Sequence, residues 1–264
     1  MGTSASSRGP GAGTSLVPDW VAPSPGRSAA PAGAVDGSSI APPARFGPAR
    51  TNLGRYGSSG SGDNMRRGLG HYTRKGLGGA SVAASRMAGT ATTAGGLYGV
   101  LNALSTGTAA PPGISLNSAS LAGRSQREIA DAITDALRPV DGTQDSEAAR
   151  DSVARALSEL LEADPNADLT ALTQGQIELV VEAYIANDLS QRVELDVGNA
   201  ILDKAPNYAT GADRLNEMKD YIRQEVARAF RARAELGQTM DRQSAAKLSS
   251  EVLRDTFDVF ESYL

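Results

Sequence analysis

The stretch 66–75 carries residues of the types that bind an anionic partner. Lysine and arginine side chains neutralise phosphate groups, and an aromatic ring between them can stack on a base. An acidic protein surface, including the acidic half of this same chain, would suit the cations equally well. His71, the single histidine, lies in the stretch and either touches phosphate or is simply a polar residue among cations. The stretch therefore predicts contact with nucleic acid or with an acidic partner through Arg66, Arg67, Tyr72, Arg74 and Lys75.

The first residues offer a different chemistry, that of a free α-amine. Gly2 follows the initiator Met1, and a small second residue allows methionine aminopeptidase to remove Met1. An α-amine has a pKa of about 7.7–8.0, so a useful fraction is neutral and nucleophilic near pH 7. Gly2 to Ser6 also matches the N-myristoylation pattern, although many chains that begin Met-Gly match it by chance. An acylated peripheral membrane protein is therefore a third interpretation, and one acyl chain binds a membrane only marginally.

Motifs for catalysis and metal binding are absent from the sequence. There is no phosphate-binding G-x-x-x-x-G-K-[ST] loop, no H-E-x-x-H zinc motif and no G-x-S-x-G nucleophile motif. The chain has no cysteine, and one histidine cannot form a multi-histidine metal site. Acidic pairs such as Glu159/Glu162 and Asp255/Asp258 have the spacing of solvated helix faces. We therefore expect no enzyme activity, no metal and no cofactor.

Charge divides the chain into two halves. The first 118 residues carry ten Lys and Arg against three acids, a net charge of +7, and hold most of the 29 glycines and 13 prolines. The remainder carries 16 basic and 27 acidic residues, a net charge of −11. This asymmetry predicts a basic, pliable region joined to an acidic folded one. The N-terminus has no apolar segment of the secretory type, so we expect a cytoplasmic protein.

The sequence divides into four segments. Residues 1–60 are predicted to be a disordered leader, because isolated apolar side chains cannot offset an ordering cost of about 1–2 kcal/mol per residue. Leu16–Trp20 and Arg45–Phe46 are its candidate docking motifs. Residues 61–105 form a Gly/Ala-rich basic helical segment, 106–118 a linker and 119–264 an acidic helical domain.

The segment 61–105 has conflicting signals. Its first part suggests a short helix, but each interior glycine costs about 1 kcal/mol relative to alanine, so its glycines are expected to supply flexibility. Ala80–Leu104 has the small-xxx-small pair Gly95 and Gly99, which lets helix backbones approach closely. Its Thr, Gly and Asn residues are too polar for a membrane span. We expect a small-residue helix packed against the C-terminal bundle.

Residues 119–264 have the apolar spacing of amphipathic helices. Apolar residues recur at i, i+3, i+4 and i+7, and no alternating strand pattern competes with this periodicity. Ser125 and Glu128 fit a capping box. Asp145 or Ser146 can cap the next helix, and the last helix is expected to start near Thr239 or Asp241. The predicted fold class is all-α: a C-terminal helical bundle preceded by the small-residue helical segment and a long disordered Gly/Pro/Ser-rich N-terminal region.

The opening of the chain, MGTSASSRGPGAGTSLVPDW, resembles that of the QatB family, a component of the bacterial Qat anti-phage defence system. Members similarly begin Met-Gly-Thr-Ser, continue with a Ser/Gly-rich stretch and reach a Leu-Val-Pro-x-Trp segment. The corresponding residues here are Gly2, Thr3, Ser4, Leu16, Val17, Pro18 and Trp20. The middle of the chain is similar to the Gly-rich block of the family, through Arg66, Arg67, Gly68, Leu69, Gly70, Tyr72, Gly76, Gly78, Gly79, Arg86 and Met87.

The resemblance implies a four-gene setting and a role for the N-terminus. The other components are an ATPase, a QueC-like enzyme (QatC-type) and a TatD-like nuclease. QueC-like enzymes of defence systems are implied to join a deazaguanine acid to the N-terminal amine of a protein. Under this resemblance Gly2 is the modification acceptor, and the chain is a substrate and scaffold without activity of its own. The partner-binding residues are then Thr3, Ser4, Leu16, Val17, Pro18 and Trp20.

Overall fold

The computed structural model describes residues 44–116, 118–140, 144–234 and 241–264. Every regular element in these ranges is a helix, which confirms the all-α prediction. The predictions for the leader, from Gly2 to Trp20, lie outside the described residues. In the described ranges no helix combines the length and the apolar character that crossing a bilayer requires.

The chain forms two compact units, each assembled from separated stretches of sequence. Among the described residues, the first unit comprises 44–88, 192–225 and 253–264. The second unit comprises 89–191 and 226–252 with the gaps stated above. The predicted segments 61–105 and 119–264 therefore each contribute to both units, so the units differ from the four segments suggested by composition.

The helices follow one another with short connections. Four α-helices lie between residues 47 and 106: α1 (Gly47–Ser59), α2 (Gly62–His71), α3 (Ala80–Arg86) and α4 (Ala88–Thr106). A π-helical segment, Tyr72–Leu77, continues α2, and a second one, Glu194–Gly198, continues α7. A short 3-10 helix spans Ser118–Leu121. The remaining helices are α5 (Gln126–Leu137), α6 (Gln144–Ala163), α7 (Gln174–Val193), α8 (Asn199–Leu202), α9 (Tyr208–Ala234) and α10 (Arg242–Glu261).

Helix α1 lies in the part of the chain that the composition predicts to be disordered. Its Leu53 and Tyr56 are buried in the first unit, and Arg45 and Phe46, immediately before it, are buried as well. Gly57 makes this packing possible, because a Cβ there would lie only 2.9 Å from Ile201 Cα. The prediction of disorder up to residue 60 is therefore wrong for 47–59. Few apolar residues suffice there because the backbones approach so closely.

The glycines of α2 also have a different role from the expected one. Gly68 faces the Leu53 side chain, and a Cβ on Gly70 would lie 2.8 Å from the Phe260 carbonyl oxygen. These positions lie inside a regular helix, so they permit close packing rather than supply flexibility. The expectation that glycine content disfavours a helix here is wrong, because the packing gained offsets the propensity cost.

The second unit follows the sequence predictions more closely. Ser125 and Glu128 form the predicted capping box at the start of α5. Gly95 of α4 packs against α10, where a Cβ would lie 2.6 Å from the Arg242 carbonyl oxygen, so the predicted small-residue packing is confirmed. Helix α6 starts at Gln144, one residue before the earlier of its two predicted caps. Helix α10 starts at Arg242, next to the predicted start near Asp241, and Asp241 caps it by accepting a hydrogen bond from the Ser244 N–H at 2.7 Å.

Candidate partner-binding cleft

A cleft in the first unit collects most of the predicted basic residues. Helix α2 and the π-helical segment after it provide one side, and Tyr263 and Leu264, shortly after the end of α10, provide the other. The space between them has a volume of about 470 Å³. We call it the basic cleft; it is lined by Arg67, His71, Arg74, Lys75, Tyr263 and Leu264.

Close packing of α2 on the end of α10 positions these side chains. The missing side chain of Gly70 lets the Phe260 carbonyl and the Leu264 side chain approach the α2 backbone. The Tyr263 hydroxyl hydrogen-bonds to the Tyr221 hydroxyl. The wall formed by Tyr263 and Leu264 is thereby held against the helix that carries the cations.

The cleft has an excess of positive charge. Arg67, Arg74 and Lys75 are all exposed. Arg74 lies 3.7 Å from the Glu261 carboxylate, a distance at which an exposed pair contributes little. Among the described residues, Arg67 and Lys75 make no ion pair. The cations therefore remain available to an anionic partner.

His71 lies between these cations. Burial lowers the pKa of its imidazole below the usual 6.5, and the positive charges of Lys75 and Arg67 lower it further. Its Nδ1 is buried and has no hydrogen-bond partner in the described part of the chain. The ring is therefore neutral near pH 7, and any anion in the cleft would favour its protonation.

Arg66 lies at the margin of the cleft. Its guanidinium is 6.0 Å from the centres of the Tyr221 and Tyr263 rings and 3.5 Å from the Asp63 carboxylate. The side chain is exposed, so it can contact a partner that extends beyond the cleft.

The remaining predicted contact residue, Tyr72, points into the protein. Its side chain is 0% exposed, its ring stacks on Phe46 at 5.7 Å, and its hydroxyl donates to the Asp196 carboxylate at 2.9 Å. A base cannot reach this ring, so the structure does not support a surface contact through Tyr72. Its hydrogen bond instead joins the two π-helical segments and fixes the backbone that carries Arg74 and Lys75.

Asp196 belongs to a partly buried charged cluster that the sequence did not reveal. Burial raises the pKa of its carboxyl, and the nearby cations Arg192, Arg45 and Arg86 oppose that rise. Arg45 is 5% exposed, with Nε and Nη1 lacking partners among the described residues, and it lies 4.8 Å over the Phe46 ring. The sequence indicated only the Arg45–Phe46 pair, as a candidate docking motif. The structure shows that both residues are buried inside the first unit.

A second cleft lies between α1 and α8 and was also not predicted. It has a volume of about 510 Å³ and a lining of mixed charge that includes Arg50, Arg55, Asn199, Asp203 and Lys204. The spacing of these residues in the sequence does not indicate that α1 and α8 contact each other. Within the described ranges, no group of three His, Asp or Glu side chains could hold a metal ion.

The described residues form an all-α fold with a cleft lined by basic side chains. A family model described as "Qat anti-phage system associated protein QatB" matches residues 78–260, more than half of the chain. The chain belongs to the QatB family and is therefore a component of the Qat anti-phage system. Comparison with curated proteins and with solved structures gives no match. The family match begins after the leader and after the cations of the basic cleft.

Proposed function

We propose that this chain is a non-catalytic component of the Qat system that serves as protein substrate and partner of a QueC-like enzyme. The observation that carries the proposal is the combination of the QatB family match with the Met-Gly-Thr-Ser opening. Gly2 is the acceptor once Met1 has been removed. Leu16, Val17, Pro18 and Trp20 follow closely enough to anchor the leader on the enzyme, as aromatic residues often do at interfaces.

The chemistry of the acceptor is acyl transfer to an amine. The enzyme activates the deazaguanine carboxylate with ATP, which forms an acyl-adenylate and releases pyrophosphate. The neutral Gly2 nitrogen attacks the acyl carbon, a C–N bond forms, the bond to AMP breaks and the amine loses a proton to solvent. Glycine suits this step, because it has no side chain to obstruct the approach of the amine. Thr3 and Ser4 can enter an enzyme groove in extended form, held by main-chain hydrogen bonds.

Intact mass of the protein co-expressed with its operon tests the proposal. We expect loss of Met1 together with an added mass of deazaguanine size. Gly2→Pro keeps a small second residue, so Met1 is still removed, but its secondary amine should not be conjugated. Ala12→Ser, at a position with no assigned role, is the matched control and should still be modified. Loss of Met1 without added mass in the unaltered protein would contradict the acceptor role.

The exposed cations at Arg66, Arg67, Arg74 and Lys75 favour a second candidate, a nucleic-acid-binding adaptor. Phosphate contacts release counterions, so affinity for DNA or RNA should fall steeply as salt rises. Lys75→Glu should weaken binding, whereas Arg127→Glu, at an exposed position of α5, should not. Affinity that is independent of salt would exclude this candidate. We would then expect the basic cleft to bind an acidic protein partner such as the enzyme or the ATPase.

A further inference from the structure

We propose that the basic cleft binds the phosphate group of a small, mononucleotide-sized ligand. This inference goes beyond both functions proposed above. It requires neither the Gly2 amine nor a polynucleotide, and it concerns only Arg67, His71, Arg74, Lys75, Tyr263 and Leu264.

The size and lining of the cleft fit such a ligand. Its volume of about 470 Å³ lies within the usual range for small-molecule sites, roughly 300–1,000 Å³. One side carries Arg67, Arg74 and Lys75, and the other carries the Tyr263 ring and the Leu264 side chain. A phosphate group at the cations would leave the rest of a ligand against the tyrosine and the leucine. Nucleotides combine a phosphate with a flat ring in this way.

The charges of the cleft favour a phosphate over a neutral ligand. Hydrogen bonds from Arg and Lys to phosphate are charge-assisted and roughly twice as strong as neutral ones. On the α10 side, the acidic side chain near these cations is Glu261, 3.7 Å from Arg74. Three cations therefore face one acidic side chain, and a phosphate between Arg67 and Lys75 would occupy the part of the cleft that lacks an ion pair.

His71 is a direct reporter of this binding. It is the single histidine of the chain, so its imidazole C–H signals in proton NMR need no assignment. Burial lowers the pKa of His71, and the positive charges of Lys75 and Arg67 lower it further. A phosphate bound to those two cations would offset their effect and raise the pKa of His71.

The experiment titrates His71 in the full chain with three probes: ATP, inorganic phosphate and a thymidine oligonucleotide. We expect ATP to raise the pKa of His71 and inorganic phosphate to do so at higher concentration. The double substitution Arg67→Gln/Lys75→Gln should weaken ATP binding at least about tenfold, because two charge-assisted contacts are lost. Arg127→Gln should leave ATP binding unchanged.

Two outcomes would overturn the proposal. If the oligonucleotide alone shifts His71, the cleft serves a polynucleotide instead. If none of the probes shifts His71, the cleft is not a phosphate site. Both substituted side chains are exposed, so the helical circular dichroism of the variant should remain unchanged. The mass assay on Gly2 is independent, so failure here leaves the acceptor role as it stands.

Discussion

At the scale of single residues, the hydrogen bond between Tyr72 and Asp196 has the most consequences for the first unit. It joins two π-helical segments that lie more than a hundred residues apart, and it gives the half-buried Asp196 carboxylate a hydrogen-bond donor. Arg50 also donates to the Asp196 carbonyl oxygen at 2.9 Å. π-Helical turns often occur where a helix must accommodate a functional constraint. Here the two π-helical segments bring the Tyr72 hydroxyl within hydrogen-bond distance of the Asp196 carboxylate.

Tyr72→Phe should destabilise the protein. It removes the hydroxyl donor to the Asp196 carboxylate, and a hydrogen bond to a charged group is worth about 1.5–3 kcal/mol. We expect the free energy of unfolding in urea to fall by about 2 kcal/mol. Tyr208→Phe is the matched control, because Tyr208 is 80% exposed and should be neutral. Equal stability of the two variants would show that the buried hydrogen bond is not stabilising.

The same hydroxyl should make stability fall at alkaline pH. Burial and Asp196 raise the pKa of Tyr72 well above its usual value of 10.0. Above pH 10 the unfolded chain therefore releases a proton that the folded chain retains. This contribution is fully present below pH 10 and is lost as pH rises toward the folded pKa, at about 1.4 kcal/mol per pH unit.

Urea unfolding measured in steps above pH 10 checks this dependence. The slope of stability against pH should be steeper in the unaltered protein than in Tyr72→Phe, because other buried tyrosines contribute equally to both. Tyrosinate absorbance in the folded protein should also lag behind that of the unfolded chain. Parallel slopes would mean that Tyr72 titrates in the folded state as it does in water.

At the scale of elements, glycines determine how the helices of the first unit meet. Propensity alone disfavours α1 and α2, which contain several glycines each. Packing reverses that preference where Gly57 meets the Ile201 backbone and Gly70 meets the Phe260 carbonyl. Gly95 has the same role in α4 against α10. Composition could suggest such contacts only as a small-residue motif, since the partner backbone is distant in sequence.

Gly57→Ala should destabilise the protein, whereas Gly62→Ala in α2 should not. A Cβ at Gly57 would clash with the Ile201 backbone, and overpacking typically costs about 1–3 kcal/mol. Nothing lies within 4 Å of a Cβ at Gly62, so alanine there should be neutral or stabilising by up to about 1 kcal/mol. Thermal unfolding of both variants is the measurement. A stable Gly57→Ala variant would contradict the close approach of α1 and α8.

At the scale of the whole molecule, neither compact unit is a single continuous stretch of the sequence. The first unit needs 44–88 together with 192–225 and 253–264, and the second needs 89–140 together with later stretches. Composition and charge change near residue 118, but packing does not. The change in charge therefore marks a difference in surface chemistry rather than a domain boundary.

A fragment of residues 119–264 should not fold cooperatively. It lacks α1 and α2, which pack against Ile201 and Phe260, and it lacks α4, which packs against Arg242 and Ala246. A fragment of residues 44–264 retains all of these contacts and is the control. Circular dichroism and thermal unfolding of both fragments are the test. A sharp unfolding transition of fragment 119–264 would establish it as an autonomous domain, as the composition predicts.

The sequence by itself determined the helical class, the capping box at Ser125 and Glu128, and the cations of the 66–75 stretch. These are local properties, set by periodicity, capping chemistry and residue type within a few turns of chain. It also carried the family resemblance through its opening residues. Only the tertiary structure decided that Tyr72 is internal, that α1 is ordered and that Tyr263 and Leu264 complete a cleft with Arg67 and Lys75. Each of these depends on a segment more than a hundred residues away. Glycine contacts and buried charges follow no local periodicity, so the sequence does not reveal them.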